Sequence, residues 1–127
     1  MQYLLDTNAI IDYLQSKLPM ENQRLINSIV DDISMVSVIS KMETLGFNFP
    51  SKKEQTIMET FIFYSKILDI DESIVNQTIT IRKSRKIKLP DAIIAATAIV
   101  HNLTLITRNT ADFEGIKGLN LMNPYDL

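Results

Sequence analysis

Four acidic residues occupy positions from which a carboxylate can act. Asp6 ends the apolar run Tyr3-Leu4-Leu5; Thr7-Asn8 follow, and a second apolar run, Ala9-Ile10-Ile11, starts at once. A strand that stops on a carboxylate and gives way to a helix sets that charge at a strand's carboxyl end, where ligands bind in an open α/β sheet. A lone buried charge there is costly unless something pairs with it. Glu43 follows a second apolar run at 35–38, Asp91 comes directly after Pro90, and Asp112 lies in Thr107-Arg108-Asn109-Thr110-Ala111-Asp112-Phe113 behind a fourth run. If the first and fourth strands are neighbours, all four acids converge on one sheet edge. Like charges gathered in this way raise one another's pKa unless a cation neutralises them.

The missing residue types narrow the chemistry. The chain has no cysteine and a single histidine, His101, placed at a helix end with an incidental role. Ligands that are all carboxylates select hard, oxygen-loving ions, Mg²⁺ or Mn²⁺. Such ions clamp phosphate oxygens and make water nucleophilic, so the reaction class is hydrolysis of a phosphodiester. Arg82, Lys83, Arg85, Lys86 and Lys88 crowd into RKSRKIK just before Pro90-Asp91, a fit to phosphate-backbone contact, and Arg108 beside the last acid is a further candidate. The ordinary alternatives are a capping role for Asp6, the reciprocal half of a capping box for Glu43, dipole complementation for Asp91, and a turn for Asp112. The basic run has one too, as a solvated helix end.

The elements that position these residues read as strands alternating with helices. The strands fall at 3–5, 35–38, 67–70, 103–106 and 119–122, and the helices at 9–14, after Pro19 up to Asp32, 55–64, 72–82 and 91–100. Asp6, Thr7 or Asn8 caps the first helix. Ser40-Lys41-Met42-Glu43 has the form of a capping box opening a helix that stops near Gly46, and Ser51-Lys52-Lys53-Glu54 repeats the signal. Asp71 caps the helix at 72–82. The helix at 91–100, with Pro90 in its first turn, is apolar all round and therefore buried. This alternation predicts a parallel sheet with helices on both faces.

With 127 residues, the chain is expected to form one domain, 1–127, with 46% hydrophobic residues and no linker or low-complexity tract. The absence of cysteine excludes disulfides and thiolate zinc sites and fits a cytoplasmic protein. No run approaches a membrane span. A net charge of -2 argues against a broadly cationic surface, though not a local one.

The segments LLDTNAIIDYL, SVISKMETLGF, LPDAIIAATAIVHNLTLITRNTADFEGI and GLNLMNPYDL resemble PIN-domain ribonucleases, and more narrowly the VapC-like toxins of type II toxin–antitoxin pairs. The resemblance spans nearly the whole chain in order. It implies a three-layer α/β/α sandwich with a central parallel sheet of strand order 3-2-1-4-5. It also implies a Mg²⁺- or Mn²⁺-dependent endoribonuclease using Asp6, Glu43, Asp91 and Asp112, assisted by Asn8 and Thr107, with Asn109 close to the last acid. It implies RNA as substrate, a homodimer, and a cognate antitoxin whose C-terminal segment covers the site. A solitary PIN nuclease of RNA processing and a non-catalytic PIN-fold interaction domain are the alternatives. A dehalogenase-type phosphatase would want Asp at position 8, where this chain has Asn, and a receiver domain would want an acidic pair that is not evident.

Overall fold

The apolar runs become five short strands, the first four of which each lead the chain into a helix. The computed structural model describes residues 2–32 and 34–126. Its elements in chain order are β1 (Tyr3–Leu5), α1 (Thr7–Leu14), α2 (Met20–Asp32), β2 (Met35–Ser37), α3 (Val38–Leu45), α4 (Lys52–Tyr64) and β3 (Lys66–Leu68). They continue as α5 (Glu72–Ser84), α6 (Leu89–Val100), β4 (Thr104–Ile106), α7 (Thr110–Phe113) and β5 (Asn120–Met122). The strands pair side by side in the order β3-β2-β1-β4-β5, and every pairing is parallel. This is the expected order. β1 sits at the centre, with Leu4 in register with Met35 of β2 and Leu105 of β4.

Side chains alternate across the sheet with period two, and this splits the core. Leu4, Met35 and Leu105 pack with Ile74 and Ile81 of α5 and with the alanine-rich face of α6. Leu5, Val36 and Ile106 point the other way, onto Ala9 and Ile10 of α1, Ile26 of α2, and Met58 and Ile62 of α4. The result is the three-layer sandwich. Full burial of an aliphatic side chain stabilises by roughly 1.5–3 kcal/mol, so these two clusters dominate the favourable side of folding. On α6, Ala92, Ala95, Ala96 and Ala98 are all buried, so the helix can lie close to its neighbours and hold Asp91 in its first turn.

Local signals explain most boundaries. Asp6 is the N-cap of α1 and Asp71 that of α5, and Ser51 accepts the Glu54 amide as the cap of α4. The expected capping box at Ser40 and Glu43 does not exist. α3 begins three residues earlier, at Val38, with Ser37 in place of Ser40 as its cap, accepting from the Ile39 amide. Ser40 is buried inside the helix. The β-branched pair Val38-Ile39 reads as strand, but the Ser37 cap turns it into helix. α7, a single turn, was not expected as an element.

Candidate active site

The carboxyl ends of β1 and β4 carry the site. Asp6 leaves β1 with its backbone N–H bonded to the Ile106 carbonyl of β4, and its carboxylate turns back to accept the Ala9 amide at 2.8 Å. Only 6% of Asp6 is exposed. Burial is the largest influence and pushes its carboxyl up to about 6; hydrogen bonds from the Thr107 hydroxyl and the Ala9 amide oppose the rise, Asp91 adds to it, and Arg108 lowers it. Thr107 is fully buried, and its oxygen accepts the Asn109 amide at 3.0 Å while its hydroxyl faces Asp6.

Asp91 stands in the first turn of α6, partly buried. Burial raises its pKa, then Glu43 and Asp112 raise it further, and Lys88 pulls it down. Asp6, Glu43, Asp91 and Asp112 thus come from four elements and act on one another through Asp91. Glu43 projects from α3 and takes a hydrogen bond from the Thr7 hydroxyl at 2.5 Å. The Ser40 hydroxyl lies 3.0 Å from the same Thr7 oxygen. Thr7 has one hydroxyl proton, so it donates to the carboxylate and accepts from Ser40, making a relay Ser40–Thr7–Glu43. Asp112, on α7, accepts the side-chain amide of Asn109. Asn8 is exposed in the first turn of α1, and His101 is the exposed C-cap of α6.

A cleft of about 500 Å³ opens beside the acids, lined by Arg82, Lys86 and Lys88 together with Asp91 and Asp112. The two remaining candidate arginines turn toward the protein. Arg85 also lines the cleft, but its guanidinium donates to the carbonyls of Asp112 and Glu114. Arg108 is bound to Asp12 of α1.

Asp12 and Thr7 are the residues that sequence reasoning missed. A signal existed for Asp12, because it falls at i+3 from Ala9 and beside Tyr13 on the buried face of α1, where an acid needs a partner. Thr7 had none beyond its place next to Asp6.

The donors at this edge are all oxygen, and their mutual repulsion is what a divalent cation relieves, so the residues fit such an ion. Among the described residues no three acidic, histidine or cysteine side chains close up into a ligand shell.

A central parallel sheet with carboxylates from β1, α3, α6 and α7 gathered at its carboxyl edge defines the PIN type of α/β protein. The PIN-domain family model matches residues 3–119, and the chain belongs to that family. Among curated proteins it is 30% identical to Toxin FitB of Neisseria gonorrhoeae, over 87% of this chain and 89% of that one. A toxin–antitoxin complex from Klebsiella pneumoniae contains a chain 32% identical, with a TM-score of 0.75, covering 99% of this chain and 100% of that one. DNA-bound VapBC from Salmonella typhimurium matches at 25% identity with a TM-score of 0.82, covering 98% of each chain. The likenesses fall among VapC-like PIN toxins. No described helix is long and apolar enough to cross a membrane.

Proposed function

We propose that the chain is a Mg²⁺- or Mn²⁺-dependent endoribonuclease, the toxin of a toxin–antitoxin pair, working in the cytoplasm as a homodimer restrained by a cognate antitoxin. The observation that carries this reading is the electrostatic coupling of Asp91 to Asp6, Glu43 and Asp112, acids delivered by different elements to one edge. The naming of FitB as a toxin and the toxin–antitoxin complex among the similar structures support the partner.

Asp6 and Asp91 would hold the ion, with Glu43 and Asp112 beside them. When bound, it supplies charge neutralisation, polarisation of a phosphate oxygen and activation of water. The protein's own groups keep the carboxylates aimed. The Ala9 amide fixes Asp6, with Thr107 facing it, Thr7 fixes Glu43, and Asn109 fixes Asp112. Arg82 and Lys86, which line the same cleft as Asp91 and Asp112, offer charge to the phosphates flanking the scissile bond.

The test is incubation of structured RNA with the protein and with Asp6→Asn and Asp91→Asn, in Mn²⁺ and in EDTA. Cleavage by the unaltered protein in Mn²⁺ alone is the expected result. Undiminished cleavage in chelator, or by either variant, would refute the mechanism. Expression of the chain alone is expected to arrest growth, with relief by the antitoxin in cis; harmless expression of active enzyme would point to a housekeeping nuclease.

A further inference from the structure

We infer that Arg85 is a positioning residue that holds Asp112 in the site rather than a contact to RNA phosphates. The inference rests on the nuclease reading above and assigns a role within it. α5 ends at Ser84, and Arg85 is its C-cap, with an extended backbone at φ -162° and ψ 162°. The chain departs there toward Pro90, and the Arg85 side chain crosses to α7, its Nη2 lying 3.0 Å from the Asp112 carbonyl and its Nη1 bonding the Glu114 carbonyl. Its Nε is buried.

These acceptors explain the geometry. α7 is one turn long, and the carbonyls at a helix end have no partners within the helix. A planar guanidinium can fork across two such carbonyls, while an ammonium, a point charge on a flexible stem, cannot hold the pair in a fixed plane. Gly115 follows with a positive φ of 82°, so the chain reverses directly after the clamped carbonyl. Asp112 is therefore held twice: its carbonyl by Arg85 from α5 and its carboxylate by Asn109 from within the loop. Asp91 faces the same cleft from α6. Arg85 thus fixes the distance between an acid on α7 and an acid on α6, although it belongs to neither element.

The experiment compares Arg85→Lys and Arg85→Ala with Lys86→Ala. Three quantities are read: Mn²⁺ affinity of the free protein by titration, the salt dependence of RNA binding, and amide hydrogen exchange across residues 110–115. Arg85→Lys keeps the charge and the stem, so it guards against loss of the fold in Arg85→Ala. Both Arg85 variants are expected to bind Mn²⁺ roughly tenfold more weakly, the scale on which outer supports of a metal site act. They should speed exchange in the loop, lower kcat with KM for RNA little changed, and leave the salt slope intact. Lys86→Ala should do the reverse, lowering the slope by about 0.7 with Mn²⁺ affinity unchanged. A reduced slope in Arg85→Ala with full Mn²⁺ affinity would make Arg85 a phosphate contact and overturn the inference, as would unchanged exchange in the loop. If the unaltered protein neither binds Mn²⁺ nor cleaves RNA, the nuclease reading fails, and loop exchange alone still decides whether Arg85 holds Asp112.

Discussion

Arg108, in the loop after β4, binds the carboxylate of Asp12 on α1, its Nη1 lying 2.9 Å from Oδ2 and 3.2 Å from Oδ1. The pair is unequal: the Asp12 side chain is 3% exposed and that of Arg108 47%. Tyr125 donates its hydroxyl to the same Asp12 oxygen at 3.0 Å, so the segment beyond β5 is tied to α1 as well. Removing Arg108 strands a buried charge with one neutral donor, whereas removing the charge of Asp12 leaves a guanidinium that water can reach. Arg108→Gln should therefore cost about 3 kcal/mol, and Asp12→Asn nearer 1 kcal/mol. Urea melts of both variants and the double variant check this. Equal losses would mean that burial does not govern the pair.

The pH dependence of the metal-free protein follows from Asp6. Burial raises its carboxyl from 3.8 to about 6. The folded state therefore holds the proton more tightly than the unfolded chain. Stability from this group is present at low pH and is lost as pH rises through 6. At roughly 1.4 kcal/mol per unit, the ionised Asp6 costs on the order of 2–3 kcal/mol at pH 7 in EDTA. Asp91 shifts in the same direction. Asp6→Asn, which can still cap α1, should then be more stable than the unaltered protein at pH 7 and level with it near pH 4. Thermal melts in EDTA across this range decide it, and a variant less stable at pH 7 would contradict the assignment of burial as the dominant cause.

Excess Mn²⁺ should close most of that gap. A ligand that binds only the folded state adds about 2.7 kcal/mol at a hundredfold excess over its dissociation constant. The unaltered protein should gain that increment, and Asp6→Asn should gain little of it. An equal increment in both would remove Asp6 from the ion's ligands.

Ser37 and Glu43 separate cap from site. Ser37 accepts the Ile39 amide at 3.1 Å, so Ser37→Ala should cost about 1 kcal/mol whatever the metal. Glu43 caps nothing, and Glu43→Ala should change stability in EDTA by no more than about 0.5 kcal/mol while removing most activity. Thr7→Val, which removes the hydroxyl that donates to Glu43 and accepts from Ser40, should reduce kcat and leave KM for RNA nearly unchanged. A loss of stability in Glu43→Ala equal to that of Ser37→Ala would restore the capping role.

The sheet was legible because its signals are local: three-residue apolar strands, acids and serines at helix starts, and an alanine-rich helix too apolar to be exposed. Asp6, Asp91 and Asp112 stood out for the same reason, since each lies at or just inside a helix start that the sequence marks; Glu43 lies inside α3 and stood out only through the S-x-x-E pattern. The start of α3 was misread because S-x-x-E also matches a buried serine and an acid one turn further on, and Val38-Ile39 favours strand. The Asp12–Arg108 and Asp12–Tyr125 bonds join residues 96 and 113 positions apart, and the Arg85 fork spans 27 and 29. No window along the chain contains both partners, so Arg85 and Arg108 looked like free surface charges.

The central place of β1 has a consequence for how the molecule comes into being. The first strand made is flanked by β2 and by β4, and its pairing with β4 waits for nearly the whole chain. Contacts so distant in sequence form late and slowly. A growing polypeptide can settle β1 against β2 and cover one face with α1, α2 and α4, but Asp6 then borders an open side where β4, Thr107 and α7 are still absent. The acidic edge is assembled late, and until β4 and α7 have emerged from the ribosome the nascent protein carries Asp6 and Glu43 without Thr107 and Asp112 beside them.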